Sequence, residues 1–319
     1  MNKKLPPLLL SRDDLEQVFS DPEFVEYCFA CVQELLLDSL SPPDGPASRA
    51  LELQGLQMTV RVEASRRGTR LLRTCIALND GAQPGHTAEI WAEPGTGVLT
   101  AVADSSALDA WRLAMPSGLA ARYLAPATTR SLGVLGAGEP VLAMVRALLL
   151  ALPAISVVRV FGAGAGAGAE RLRDCLVRLA PAGRGPVVMC DPDPSDVAVR
   201  SDVLVVAGPP PDPSWLTTGS LLISHGPLPD AVLPRCRRFR DLPDATGRAT
   251  VAAIARGMAA PPVGRSETIL YECCGIDGWE AELRDAVVRW SHRRGLGQPL
   301  LFPAGEATPA DLESCAIEL

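Results

Sequence analysis

Five short apolar runs between residues 131 and 224 limit what this chain can fold into more than any other feature. SLGVLG (131–136), SVVRVF (156–161), PVVMC (186–190), DVLVVA (202–207) and SLLIS (220–224) are separated by helix-like or turn-rich segments. A strand with one solvated face alternates polar and apolar residues, whereas a strand covered on both faces reads as a continuous apolar run. Such runs alternating with helices predict a parallel sheet with helices on both sides.

That order decides between two glycine-rich tracts. SLGVLG runs straight into Gly136-Ala137-Gly138 and then a helical stretch, PVLAMVRALLLAL. The first strand-to-helix turn is where a dinucleotide diphosphate sits, against the amides of a helix N-terminus. The more conspicuous GAGAGAG tract beginning at Gly162 follows the second strand instead, at the adenosine-ribose end. It is therefore a decoy for phosphate, and an alternating Gly/Ala run is also simple low-complexity sequence. No acid occupies residues 161–169 to read a ribose diol. Glu139 places a negative charge at the expected diphosphate, and Val141 stands at the third small position of the fingerprint.

The region before the apolar runs has a different texture. Ser11 followed by RDDLEQVF is a helix start, and the amphipathic pattern continues to about residue 40 before PPDGP breaks it. LQMTVRVEA, LLRTCIAL, AEIWAE and GVLTAVAD then read as strands, the last two joined at Pro94-Gly95-Thr96-Gly97 as a hairpin. Residues 105–125 have helical spacing, with Pro116 expected to kink or restart the helix. A helix over Trp279–Arg293 and a tail close the chain. With 319 residues there is room for two domains.

Composition excludes several classes. A net charge of −7 gives no broad basic surface for nucleic acid or anionic lipid, so a small-molecule partner is expected. No run approaches the ~20 uncharged residues of a membrane span, and MNKKLPPLLLSRDD lacks a small-residue cleavage site; the chain reads as cytoplasmic. Nine scattered cysteines suit reduced thiols, and Cys28-x-x-Cys31 in a helical stretch reads as helix core; no metal site is expected. Lysine occurs only at positions 3 and 4, which removes an internal lysine as base, nucleophile or pyridoxal-phosphate anchor.

At residues 96–125, TGVLTAVADSSALDAWRLAMPSGLAARYLA, the chain resembles the ornithine cyclodeaminase and mu-crystallin superfamily. Asp104, Leu108, Arg112, Ala114, Ser117, Ala120, Tyr123, Leu124 and Ala125 fall in register with the family pattern. The Gly136-Ala137-Gly138 turn follows at the family's distance, and Gly264-Arg265, Thr268–Tyr271, Gly275, RRGLGQPL and LLLSRDDLEQVF extend the likeness. The resemblance implies an α/β fold of two domains: a Rossmann-type doubly wound parallel sheet over 126–284, and a split α+β substrate and dimerisation domain from 1–125 plus about 285–319. It also implies a homodimer, NAD(H) or NADP(H), and hydride transfer to or from an amino acid or imine.

In that family arginines seat the substrate carboxylate through a bidentate fork. Arg112 matches by position, Arg61 is the counterpart of a second substrate arginine, and Arg73 stands where the family has lysine. Cyclodeaminases carry a proton-handling aspartate after the last nucleotide-domain strand, but Ser224-His225-Gly226-Pro227-Leu228-Pro229-Asp230 has leucine there. Asp230 stands in, or His225 donates the proton instead. The cofactor set is Gly136, Ala137, Gly138, Gly162, Gly208 and Gly226. Arg73 and Leu228 argue against ornithine cyclodeamination itself, leaving an imine reductase or amino-acid dehydrogenase, with a non-catalytic binding or scaffolding dimer as the alternative.

Overall fold

The computed structural model describes residues 6–38, 48–53, 56–64, 70–78, 87–93, 96, 98–136, 139–162, 174, 185–224, 226–242, 249–262, 266–273, 275–276 and 278–300. The fold is α/β, with two separate sheets.

The chain enters through β1 (Leu8–Leu10) and α1 (Arg12–Ser20). Ser11 caps α1 in both directions: its hydroxyl accepts the Asp14 amide at 3.2 Å, and the Asp14 carboxylate accepts the Ser11 amide at 2.9 Å. The helical stretch expected over 11–40 is two helices, because Pro22 begins α2 (Pro22–Asp38). Proline fits the first helical position, and Asp21 fills the corner by accepting the Glu23 amide at 3.0 Å. Cys28, fully buried, and Cys31 lie in α2 as thiols outside any disulfide. Among the described residues no group of acids, histidines and cysteines could hold a metal, and no helix is long and apolar enough to cross a membrane.

Strands β2 (Ser48–Leu53), β3 (Leu56–Ala64), β4 (Arg70–Leu78), β5 (Thr87–Ala92) and β6 (Leu99–Asp104) form an antiparallel run. The hairpin expected between AEIWAE and GVLTAVAD is present as β5 and β6, closed by the Glu93 amide on the Val98 carbonyl at 2.9 Å. β1 pairs with β6 on one side and β15 (Gln298–Pro299) on the other, completing a seven-stranded sheet in the order β15-β1-β6-β5-β4-β3-β2.

The second sheet is all parallel. It contains β7 (Ser131–Leu135), β8 (Val157–Phe161), β9 (Val187–Cys190), β10 (Val203–Val206), β11 (Leu221–Ser224), β12 (Cys236–Arg240), β13 (Ala249–Thr250) and β14 (Thr268–Glu272), ordered β13-β12-β14-β11-β10-β7-β8-β9. The five apolar runs are its first five strands, and β9-β8-β7-β10-β11-β14 reproduces the doubly wound nucleotide-binding order. One face meets α3 (Ser105–Leu124) and α4 (Glu139–Ala151) through Leu132, Val134, Val203, Val205 and Ile223. The other, carrying Leu135, Leu204, Val206, Leu222 and Leu270, is covered by α5 (Pro194–Val199) and Val232. α6 (Val251–Ala255) and α7 (Trp279–Arg294) complete the described helices.

Helix α3 runs unbroken through Pro116, where a kink or restart was expected. Proline has no amide hydrogen, so the carbonyl four residues earlier, that of Arg112, loses its helical donor. The Trp279 indole replaces it, donating to the Arg112 carbonyl at 3.0 Å. Two positions further on, a Cβ on Gly118 would stand 2.9 Å from the Phe29 ring, so glycine lets α2 and α3 close together.

Candidate active site

The reversal of strand order falls between β7 and β10, and ligands of open parallel sheets bind at the carboxyl ends of strands beside such a reversal. Here the two strand ends almost touch. Gly136 has φ +137°, and a Cβ on it would lie 2.7 Å from the Ala207 carbonyl carbon; one on Gly208 would lie 3.0 Å from the Gly136 Cα. The Ala207 amide donates to the Leu135 carbonyl at 2.9 Å, and the Gly136 amide to the Phe161 carbonyl at 2.7 Å. Gly136 is therefore required by backbone conformation and by packing alike. Helix α4 begins at Glu139, three residues after Gly136, and a helix N-terminus offers unpaired backbone amides to an anion. The described residues thus fit a dinucleotide diphosphate. Gly162 directly follows β8, and Gly226 is exposed after β11. Ala137, Gly138 and His225 lie outside the described residues, as does most of the Gly/Ala tract.

A second constellation is aligned by backbone register across the seven-stranded sheet. Backbone register aligns Arg61, Arg73, Trp91 and Ala101 across β3 to β6, and Thr59, Cys75, Glu89 and Ala103 in the next row of the same face. Arg61 and Arg73 are directly opposite one another. Glu89 is fully buried. Its Oε2 accepts from the Trp91 indole at 2.9 Å and from Arg284 Nε at 2.9 Å, and its Oε1 from Arg112 at 3.3 Å. Burying a carboxylate is tolerable only with such satisfaction.

Arg112, largely buried on α3, is surrounded by the chain's own acids. One terminal nitrogen meets Asp109 at 2.7 Å, the other meets Glu89 at 3.3 Å, and Nε stands 3.3 Å from Glu280. That Nε is buried and makes no hydrogen bond. Glu280 also accepts from Arg284 at 3.3 Å. Trp279 opens α7, seven residues after the end of β14, and its bond to the Arg112 carbonyl ties α3 to the start of that helix.

Elsewhere along that edge, Tyr271 donates to the buried Asp241. Burial first, then the charge of Asp241, pushes the phenol well above its ordinary range.

Leu228 packs against the cluster containing Leu135, Val206 and Leu222, while Asp230 is exposed on a turn. No described contact joins Asp230 to the Arg112 constellation. Glu89, Asp109, Glu280 and Arg284 were not singled out from the sequence. Glu89 did leave a signal there, a carboxylate two residues from Trp91 and therefore on the same face of a strand.

A profile of the ornithine cyclodeaminase/mu-crystallin family matches residues 77–223, from the end of β4 through β11. The chain has the ornithine cyclodeaminase/mu-crystallin fold. The Δ1-pyrroline-2-carboxylate reductase of Thermococcus litoralis, solved with NADH and L-proline, aligns with a TM-score of 0.74 over 92% of this chain and 100% of its own, at 17% identity. An archaeal alanine dehydrogenase dimer with bound NAD gives 0.71 over 94% and 100%, at 19% identity. A lysine cyclodeaminase that recognises L-lysine, L-ornithine and L-2,4-diaminobutyric acid gives 0.70 over 96% and 99%, at 20% identity. No curated protein matches by sequence. The ornithine cyclodeaminase/mu-crystallin resemblance carried by residues 96–125 and by the Gly136 turn is thus upheld by both sequence profile and three-dimensional shape.

Proposed function

We propose that this chain is a nicotinamide-dependent oxidoreductase acting on an amino acid or an imine that bears a carboxylate. The observation that supports the reading is the glycine-lined close approach of β7 and β10 at the strand-order reversal, in a chain that also holds a largely buried guanidinium at Arg112. The neighbours solved with NADH or NAD support the coenzyme, NAD(H) or NADP(H), and the alanine dehydrogenase dimer supports a homodimer.

In this reading the turn at Gly136 and the start of α4 hold the diphosphate, together with Ala137 and Gly138; Gly208, Gly226 and Gly162 leave room for the rest of the coenzyme. When bound, the coenzyme supplies or accepts a hydride. Arg112, assisted by Arg61 and Arg73 from the facing sheet, holds the substrate carboxylate and so fixes the α-carbon. One proton must accompany the hydride at nitrogen, and Asp230 or His225 supplies it. Imine reduction asks for nothing more. Ornithine cyclodeamination asks for additional proton transfers, and Arg73 in place of lysine offers none.

Titration of the chain with NADH and NADPH, followed by tryptophan fluorescence or calorimetry, tests this reading. Micromolar binding of either coenzyme is the expected result, and no binding of both at millimolar concentration would refute it. The second reading, a non-catalytic binding or scaffolding dimer, is favoured by one observation: Leu228 is half-buried against the apolar cluster and Asp230 is exposed. It predicts that refuting result.

A further inference from the structure

We infer that Asp191 is the acid that reads the adenosine ribose of the coenzyme, and that it makes the chain select NAD(H) over NADP(H). The inference rests on the coenzyme reading above. It supplies, from a neighbouring strand, the carboxylate that residues 161–169 lack.

Strands β10, β7, β8 and β9 are parallel neighbours in that order, so their carboxyl ends lie side by side. Gly136, at the turn assigned to the diphosphate, donates its amide to the Phe161 carbonyl at the end of β8 at 2.7 Å. From the far side of β8, the Asp191 amide donates to the Val160 carbonyl at 3.1 Å. Cys190 pairs with Val160, so Asp191 stands level with Phe161. Neighbouring strands are ~4.8 Å apart, which puts the Asp191 backbone about 10 Å from the Gly136 turn. A ribose attached to a diphosphate at that turn extends over the end of β8, within reach of a carboxylate rooted on β9.

Alternation along β8 shows how this acid is held. Val158 and Val160 pack toward α3 and α4, while Phe161, and with it Arg159, takes the opposite face. Arg159 starts two residues short of the strand end, and its terminal nitrogen meets Asp191 Oδ2 at 2.8 Å, with both side chains largely buried. The guanidinium therefore fixes the carboxylate. A carboxylate held in this way still accepts hydroxyl hydrogens at its remaining lone pairs. A ribose diol offers two such hydrogens, whereas a 2′-phosphate brings negative charge against negative charge. Asp193, exposed two residues further on, adds a second carboxylate to the same loop. The diol of NAD(H) fits this edge, and the phosphate of NADP(H) does not.

The test titrates the full chain with NADH and with NADPH, following tryptophan fluorescence. Wild type should bind NADH about tenfold more tightly or better. Asp191→Asn keeps the shape of the side chain and removes its charge, so NADH should weaken about tenfold and NADPH should tighten, abolishing the preference. That variant takes away the charge facing Arg159; Asp191→Asn combined with Arg159→Gln removes both charges of the pair and should lose the preference equally. As displacers of NADH, adenosine 5′-monophosphate should outcompete adenosine 2′,5′-bisphosphate on the wild type and lose that advantage on the variants. A wild type that binds NADPH as tightly as NADH or more tightly, or variants whose ratio of the two affinities matches the wild type's, overturns the inference and leaves the coenzyme reading standing. No binding of either coenzyme to the wild type overturns both.

Discussion

The Trp279 indole donates to the carbonyl of Arg112, the one carbonyl that Pro116, four residues on, leaves without a helical donor. A proline inside α3 and a tryptophan at the start of α7 are thus one device. Without the indole the carbonyl would be buried and unpaired. Trp279→Phe keeps the ring but removes the donor and should cost about 1–2 kcal/mol in urea unfolding. Adding Pro116→Ala restores a backbone amide to the same carbonyl, so in that background the cost should shrink by more than half.

Glu89→Gln should be the most destabilising conservative change in the site. It takes the buried Glu89 charge away from Arg284, whose side chain is 2% exposed in the interior. Removing one side of a buried pair costs about 3–5 kcal/mol, a loss that thermal unfolding would register plainly. A drop no larger than that of a surface substitution would show that water reaches the pair.

Gly136→Ala combines a φ of +137° with a Cβ 2.7 Å from Ala207. Strain of this type costs about 1–3 kcal/mol before the clash is counted. Because the strand end must move to relieve it, NADH binding should be lost even at temperatures where circular dichroism reports a folded chain.

Asp21 gives the fold an acid limit. Burial raises its pKa, but hydrogen bonds from the Trp290 indole and the Glu23 amide, and the Arg294 guanidinium, outweigh this and hold the carboxyl below its usual value of 3.8. A carboxyl depressed in the folded state contributes stability above its unfolded pKa and loses it as pH falls through the folded one. Wild type should therefore lose stability relative to Asp21→Asn as pH drops below about 4, while at pH 7 the variant should be the weaker by ~1–2 kcal/mol. Equal pH profiles for the two proteins would exclude the carboxylate as the source.

The parallel sheet was legible because strands buried on two faces are written as unbroken apolar runs, from Leu132 through Ile223. The strands that escaped notice have different causes. β12 reads CRRFR, and its arginines look solvated until Glu272 on the neighbouring strand accepts Arg238 through two hydrogen bonds of 2.9 and 2.6 Å. β1 and β15 are too short for any period to show. Arg112 was visible through the family pattern, but the acids around it were not. Asp109, Glu280 and Arg284 occupy positions that on an isolated helix would be ordinary charged surface, and Arg284 meets Glu89 only across a separation of 195 residues. Local periodicity carries no trace of such a meeting.

The position of β1 has a consequence for how the molecule is made. Leu8 and Leu9 pair with Pro299 and Gln298, and the Leu300 amide bonds the Pro7 carbonyl at 2.8 Å, so one edge of the antiparallel sheet joins the first described strand to the last. Contacts of such long sequence separation form late. On the ribosome, the parallel sheet has all its strands by residue 272, whereas the antiparallel sheet must wait for residue 299 before its border is sealed. Translation therefore imposes an order on folding, with the nucleotide-type half complete first and the arginine-bearing half finished last.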